Sequence, residues 1–169
     1  GQTGRWRGRQ LILGFIFVLG MTAFGKTYAQ NTFKIESRDL VLNLEKVSQS
    51  GRSGLRFVSL KDKKTNQVLS SPASSAPFTL HYSPAGDYND TKAAKADTAA
   101  WRQIGYKKQP GKHVFSFKGF GASGVAENLS VEVTISSAAE ADGIEIGYTA
   151  AAGSNQASVV SMNIGRFSF

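Results

Sequence analysis

The sequence contains no cysteine, only four prolines and only two histidines among its 169 residues. Without cysteine there can be no disulfide, no thiolate metal site and no lipid-modified cysteine. The fold must therefore be stabilised by an ordinary apolar core, and 41% hydrophobic residues is a normal supply for one. Eighteen glycines against four prolines indicate many turns rather than a proline-rich linker.

The scarcity of histidine also restricts the chemistry that the chain can perform. His81 and His113 fall in predicted strands, with no carboxylate or second histidine at ligand spacing. A zinc site or a catalytic triad would need partners that converge from elsewhere in the fold. We therefore predict that both are ordinary strand residues, and we identify no catalytic residue, metal site or cofactor site.

Two acidic segments are weak candidates for chemistry. In "GDYNDT", Asp87, Asn89 and Thr91 alternate as calcium ligands can, but the glycine and glutamate that a calcium-binding loop requires further on are missing. In "AEADGIEI", Glu140 and Asp142 fall in a predicted turn, where acidic residues are common and solvated. We interpret both segments as turns. The glycine-rich "GFGASG" lacks the Lys-Ser/Thr ending of a phosphate-binding loop and is read as a connection.

The first 29 residues resemble an export signal rather than part of the fold. Arg5, Arg7 and Arg9 precede an uncharged apolar run of about 15 residues, and small residues follow at Thr27 and Ala29. The run is shorter than the roughly 20 residues that a membrane-spanning helix needs. We expect cleavage after Ala29, which makes residues 1–29 a signal peptide and residues 30–169 one domain, secreted or periplasmic in a bacterium.

Removing the signal peptide halves the net positive charge of the chain. The whole chain has a net charge of +8, from 20 basic and 12 acidic residues. Four basic residues and no acidic residue lie in positions 1–29, so the exported part has 16 − 12 = +4. Nucleic-acid binders concentrate charge on one face. Here only Lys61, Lys63 and Lys64, and then Lys107 and Lys108, are grouped, so we do not expect nucleic acid as a partner.

Alternation of apolar and polar residues dominates the exported part. Strands are predicted at "DLVLNLEKV", "LRFVSL", "PFTLHYS", "HVFSFKGF", "LSVEVTISS", "GIEIGYTA" and "SVVSMNIGRFSF". In "LSVEVTI" the apolar edge is Leu129, Val131, Val133 and Ile135, and the polar edge is Ser130, Glu132 and Thr134. Such a strand has one face in a core and one in water.

Turn-forming segments separate these strands at the spacing typical of an antiparallel sandwich or barrel. Asp62 and Asn66 are expected to stabilise the turn at "DKKTNQ" by bonding to nearby amides, after which Val68 and Leu69 return to the same sheet. In "DTKAAKADTAAWRQIG" we expect a long surface loop leading into a strand around Trp101, because no helical stripe is present. The prediction is an all-β fold, an antiparallel β-sandwich.

Aromatic residues are the most suggestive functional feature. Sugars stack their apolar faces on aromatic rings, and Trp and Tyr add a polar group for sugar hydroxyls. Trp101, Tyr82 and Tyr106 fall near predicted loops and strand ends, and Arg102 follows Trp101. These four residues are the candidate carbohydrate-binding set. For Trp101 a place in the core is an equally good interpretation.

A family resemblance appears in "LVLNLEKVSQSGRSGLRFVSLKDKKTNQVLSSPASSAPFTLHYS". The spacing of Leu60, Asp62, Thr65 and Leu69, followed by Phe78 and Leu80, resembles the N-terminal β-supersandwich domain, of galactose-mutarotase-like fold, of secreted bacterial glycoside hydrolases and polysaccharide lyases. The segment "LSVEVTISSAAEADGIEIGYTA" is similar to a later strand pair of that domain. The resemblance implies a scaffold without catalytic residues. It further implies a catalytic domain C-terminal to Phe169, so that this chain is a fragment.

The ending "NIGRFSF" permits a different interpretation. Phe167 and Phe169 alternate up to the last residue, as in the final strand of many outer-membrane β-barrels. Against this, "DLVLNLEKV" and "LRFVSLKDKK" carry charges close to their apolar centres, which interrupts a lipid-facing band.

Three functions therefore remain open from the sequence. The first is a secreted, non-catalytic sandwich that accompanies a carbohydrate-active enzyme and either supports its catalytic domain or contacts a polysaccharide or oligosaccharide. The second is a small outer-membrane barrel. The third is a structural or adhesive sandwich without a sugar ligand.

Overall fold

The fold is an all-β antiparallel sandwich, as predicted. The computed structural model describes residues 30–70, 76–84, 88–121, 125–153 and 158–164, with the backbone alone at residues 69 and 70. The predicted signal peptide, Asp87 and the aromatic ending at Phe167 and Phe169 lie outside these residues. The described strands are β1 (Thr32–Glu36), β2 (Leu40–Gln49), β3 (Arg52–Asp62), β4 (Val68–Ser70), β5 (Phe78–Ser83), β6 (Lys92–Lys95), β7 (Trp101–Gln109), β8 (Lys112–Phe120), β9 (Leu129–Ser136), β10 (Glu145–Ala152) and β11 (Ser158–Ile164). A short 3₁₀ helix (Val125–Asn128) precedes β9.

The strands form two hydrogen-bonded sheets. One has the order β1-β2-β3-β7-β8-β9-β10, with β4 also paired to β3, and the other has the order β11-β5-β6. In the large sheet, β3 and β7 meet only at the Ser53–Trp101 bridge. This junction, with a single bridge, is where the large sheet folds over.

Ring contacts show which strands face one another. Phe33 of β1 lies 4.7 Å from Tyr106 of β7 and 4.9 Å from Phe115 of β8, measured between ring centroids. Phe78 of β5 lies 4.9 Å from Phe117 of β8 and 5.9 Å from Trp101 of β7. Strands β1 and β5 therefore pack on the same pair of strands.

Backbone bonds beyond the ladders join the small sheet to β3. The Leu55 amide donates to the Ala96 carbonyl at 2.8 Å, and the Ala96 amide donates to the Phe78 carbonyl at 3.0 Å. We call β1, β2, β3, β6, β5 and β11 the first layer, and β7, β8, β9 and β10 the second layer. The core lies between them, and each fully buried Phe or Leu in it contributes about 1.5–3 kcal/mol.

Two turns use residues in the left-handed region. Ser50 (φ 51°) and Gly51 (φ 74°) join β2 to β3, and positive φ at both central residues is the geometry of a type I′ hairpin. Pro110 and Gly111 (φ 65°) join β7 to β8. The Asp62 carboxylate accepts from the Lys64 amide at 2.8 Å, as predicted for that turn, and Asn66 has φ 61°.

The structure differs from the sequence prediction in two strands. β1 was not predicted, and β6 replaces part of the predicted surface loop before Trp101. In β6 the residue that faces the core is Ala94, and both Ala94 and Ala96, which follows the strand, are fully buried. A β-bulge in β3 is a third difference, here from the regular alternation predicted for that strand. The register shifts between Asn43–Ser59 and Leu44–Phe57, so that Val58 has no partner and Leu60 lies on the same face as Phe57.

Candidate functional site

Trp101 belongs to the core, which decides between its two interpretations. Its relative exposure is 0%, and its ring centroid lies 5.2 Å from that of Phe120, 5.3 Å from that of Phe117 and 5.9 Å from that of Phe78. The indole Nε1–H donates to the Lys95 carbonyl at 2.9 Å. No face of this ring is open to a sugar.

Tyr82 is also buried, at 6% exposure, on the inner side of β5. Burial raises the pKa of its hydroxyl above 10. Stacking on a sugar requires an exposed ring face, so the expectation that Trp101 and Tyr82 present such faces is corrected.

Tyr106 is half-buried and is held on two sides. Its ring packs against Phe33 and Phe115, and its hydroxyl is hydrogen-bonded to Nδ1 of His113 at 2.8 Å. Arg102 is exposed, with its side chain over Gly119. Tyr82 lies in the first layer, and the other three predicted residues lie on β7. The structure therefore does not assemble the four into one exposed surface.

Both histidines and Asp142, one of the acids of the sequence analysis, have structural partners. His113 is 8% exposed, beside Tyr106, and His81 is within 3.3 Å of the Asn163 amide. Asp142 forms an ion pair with Arg38. Within the described ranges no three His, Asp or Glu side chains are grouped as metal ligands would be.

A helix able to cross a membrane is likewise not found among the described residues, in which the helical content is one 3₁₀ turn.

The best-supported candidate surface is the outer face of the second layer. The register places Gly105, Ser116, Glu132 and Thr149 in one row across β7, β8, β9 and β10. The neighbouring row contains Gln103, Lys118, Ser130 and Ala151. Because most of these side chains are small, the sheet has a shallow depression of about 280 Å³ here, lined by Ser116, Lys118, Ser130, Glu132, Thr149 and Ala151 among others. We call the whole outer face of the second layer the second-layer face, and the depression in it the second-layer depression.

The polar side chains of the second-layer depression are not engaged with one another or with the rest of the described protein. Lys118 and Glu132 are exposed and form no ion pair with any described residue. Ser116, Ser130 and Thr149 likewise make no side-chain hydrogen bond there. Their donors and acceptors are therefore available to a ligand.

A larger groove of about 540 Å³ on the outside of the first layer is different in this respect. It is lined in part by Lys34, Asn43 and Glu45. Lys34 pairs with Glu36 at 2.6 Å, Glu45 pairs with Arg56, and the Asn43 amide donates to the Ser59 hydroxyl at 3.0 Å. Since these groups already have partners, a ligand would have to displace existing bonds.

No family model, curated protein or solved structure matches the chain. The resemblance to the supersandwich domain therefore stays a prediction, and no residue role is transferred from a relative. What can be said of function depends on the surfaces described above.

Proposed function

We propose that the protein is an exported, non-catalytic β-sandwich module that contacts glycan through the second-layer face. The observation that supports this proposal is the shallow depression in which five polar side chains lack partners in the described structure. The basic and apolar start of the sequence supports export.

The chemical character of the depression suits a polyhydroxylated ligand. A sugar hydroxyl both donates and accepts hydrogen bonds. Lys118 can only donate, ionised Glu132 can only accept, and the hydroxyls of Ser116, Ser130 and Thr149 can do both. A flat sheet face with small side chains lets a sugar chain approach the backbone closely.

The two acids of this surface favour binding over hydrolysis. Glu132 lies on β9 and Glu145 pairs with Ser136, four residues further along that strand. At about 3.4 Å per residue and 4.8 Å between strands, their Cα atoms are about 14 Å apart. The two carboxylates of a glycosidase are held about 5–10 Å apart on either side of the bond that breaks.

The proposal is tested by removing hydroxyls without changing shape. The double variant Ser130→Ala/Thr149→Val loses two hydrogen bonds to ligand, each worth about 1 kcal/mol, which is about 30-fold in Kd. We expect a glycan array and then calorimetry on the best ligand to show this loss.

Thr32→Val is the matched control, since Thr32 is exposed on the outside of the first layer. Its Kd should equal that of the wild type. A wild-type protein that binds no glycan on the array, or a double variant with unchanged affinity, contradicts the proposal and favours a structural or adhesive sandwich.

Support of a catalytic domain is the other half of the sequence prediction. It follows from the family resemblance alone, and no contact among the described residues favours it.

A further inference from the structure

Positive charge is concentrated in one hairpin of the second layer. Residues 101–120, which form β7, β8 and their turn, contain Arg102, Lys107, Lys108, Lys112 and Lys118 and no acidic residue. The hairpin therefore has a charge of +5, whereas residues 30–169 as a whole have +4. The remainder of the exported part is −1.

The cations of this hairpin also differ from the others in their partners. Ion pairs in the described part of the chain involve Lys34, Arg38, Arg52, Arg56, Lys63, Lys64 and Lys92. None involves a residue of the hairpin. Its positive charge is therefore not neutralised by any described carboxylate.

Register shows that three of the five cations share the second-layer face. Tyr106 pairs with Phe115 on the core side, so the adjacent Lys107, paired with Val114, points outward. Lys112 and Lys118 lie on the same side of β8 as Val114. Six residues separate them, which is about 20 Å of strand. The three lysines form a line along the hairpin, and Lys118 also lines the depression.

The acidic residues on this surface favour one orientation of a bound anionic chain. Glu132 is on β9, next to β8, and Glu145 is on β10 at the far edge of the layer. An anionic chain that crossed the four strands would meet Glu132 if it followed the row of Ser116, or Glu145 if it followed the row of Lys112. One that runs parallel to β7 and β8 would follow the three lysines.

We propose that the glycan bound by the second-layer face is an acidic polysaccharide that lies along the β7–β8 hairpin, with its carboxylates at Lys107, Lys112 and Lys118. This deepens the proposed function and rests on it. Lysine acts as a point charge toward such groups, and neighbouring hydroxyls on the face bind the uncharged part of each sugar. The attraction is exposed to solvent, so it weakens with salt over a Debye length of about 10 Å at 0.1 M.

A pair of ligands that differ only in charge tests the proposal. Polygalacturonate has a carboxylate on each sugar, and its fully methyl-esterified form has the same backbone without the charge. We expect the exported protein to bind polygalacturonate at least about tenfold more tightly at 0.05 M salt, with a difference that shrinks as salt rises.

Matched variants locate the site on the protein. Lys107→Gln/Lys112→Gln/Lys118→Gln should weaken polygalacturonate binding about tenfold. The control, Lys46→Gln/Lys61→Gln/Lys95→Gln, makes the same change in net charge at three lysines that form no described ion pair and lie on β2, β3 and β6. It should bind as the wild type does. Thermal unfolding verifies that both triple variants are folded.

The outcomes separate this inference from the proposed function. Equal binding of both ligands, or equal losses in the two triple variants, overturns the inference and leaves glycan binding intact. Equally tight, equally lysine-dependent binding of duplex DNA or of anionic lipid vesicles shows a general polyanion surface and overturns it too. Absence of binding to polygalacturonate overturns it directly, and the glycan array then decides the proposed function separately.

Discussion

A methyl group has no room at Gly54 in β3. A Cβ built there would lie 2.7 Å from the Thr98 carbonyl oxygen and 2.8 Å from the Asp97 carbonyl carbon. Both atoms are backbone atoms of the turn that precedes β7, so neither can rotate away. The φ of Gly54 is not in the left-handed region. Glycine is therefore required here by the close approach of the two chain segments, and not by its own backbone conformation.

We therefore expect Gly54→Ala to lower the free energy of unfolding by about 2 kcal/mol, the usual cost of overpacking a buried site. Urea unfolding provides the measurement. Gly143→Ala is the control, because nothing lies within 4 Å of a Cβ at Gly143. Equal urea midpoints for the two variants would contradict the geometry.

His113 makes stability depend on pH. Burial, and to a smaller extent the charge of Lys108, lowers the pKa of His113 below its ordinary value of 6.5. The unfolded chain takes up a proton near pH 6.5, whereas the native state resists it. This residue therefore has no effect well above pH 6.5, and it destabilises the protein progressively as pH falls below that value.

His113→Gln removes this titration, so its stability should fall less between pH 7.5 and 5.5 than that of the wild type. The difference cannot exceed about 1.4 kcal/mol per pH unit. Urea unfolding at the two pH values measures it, and His81→Gln serves as the control because His81 is near the surface of the small sheet. Parallel losses in the wild type and His113→Gln would show that another group is responsible.

At the scale of the element, the turn of the β2–β3 hairpin contains a residue whose substitution should stabilise the protein. Ser50 adopts φ 51°, which is unfavourable for serine, and the next residue is Gly51. Asparagine tolerates this region better, and Asn-Gly is the preferred pair for a type I′ turn. Ser50→Asn should raise the free energy of unfolding by about 0.5 kcal/mol, a gain of the order seen for compatible turn substitutions.

The result is read from the urea midpoint, with Ser53→Asn as a control at a nearby strand position. A neutral or destabilising effect of Ser50→Asn would mean that the hairpin tip is not held in this conformation.

Strands with strong alternation were predicted correctly, and the missed ones show why others were not. In β9 the predicted apolar edge, Leu129, Val131, Val133 and Ile135, is buried. β6 reads "KAAK", and alanine has no preference for strands. It is extended because it pairs with β5 and buries Ala94 in the core, which is a tertiary constraint that local sequence does not express.

The bulge at Val58 and the burial of Trp101 have the same kind of origin. A bulge inserts one residue into the alternation, and a simple period of two cannot anticipate it. Trp101 enters the core because Gly119, with φ 68°, bends β8 so that both Phe117 and Phe120 contact the indole.

The candidate site could be predicted only in part. The polar edge of β9, with Ser130 and Glu132, was expected to face water. Bringing these residues beside Lys118 and Thr149 depends on the register of three strands, which alternation alone does not determine.

At the scale of the whole molecule, the exposed strand β11 is a site for unwanted association. Val159, Val160 and Ile164 are each more than a third exposed, and β11 lies at the end of the small sheet. An apolar edge strand can pair with another chain, and a lysine on it discourages such pairing. Ile164, at 59% exposure, makes little contact with the core.

We expect Ile164→Lys to reduce light scattering in concentrated solution while changing the free energy of unfolding by less than about 0.5 kcal/mol. Val68→Lys, at a similarly exposed residue on the short strand β4, is the control and should scatter as the wild type does. Unchanged scattering of Ile164→Lys would exclude this edge as the route of association.

The order of strands in the small sheet has a consequence for how the protein matures. β5 contains some of the least accessible side chains, yet one of its two neighbours, β11, is the last of the described strands to leave a ribosome or a translocation pore. At synthesis rates of about 5–20 residues per second, Phe78 and Leu80 wait several seconds for that neighbour. During this interval the small sheet is incomplete, and a chaperone that holds unfolded chains would bind it.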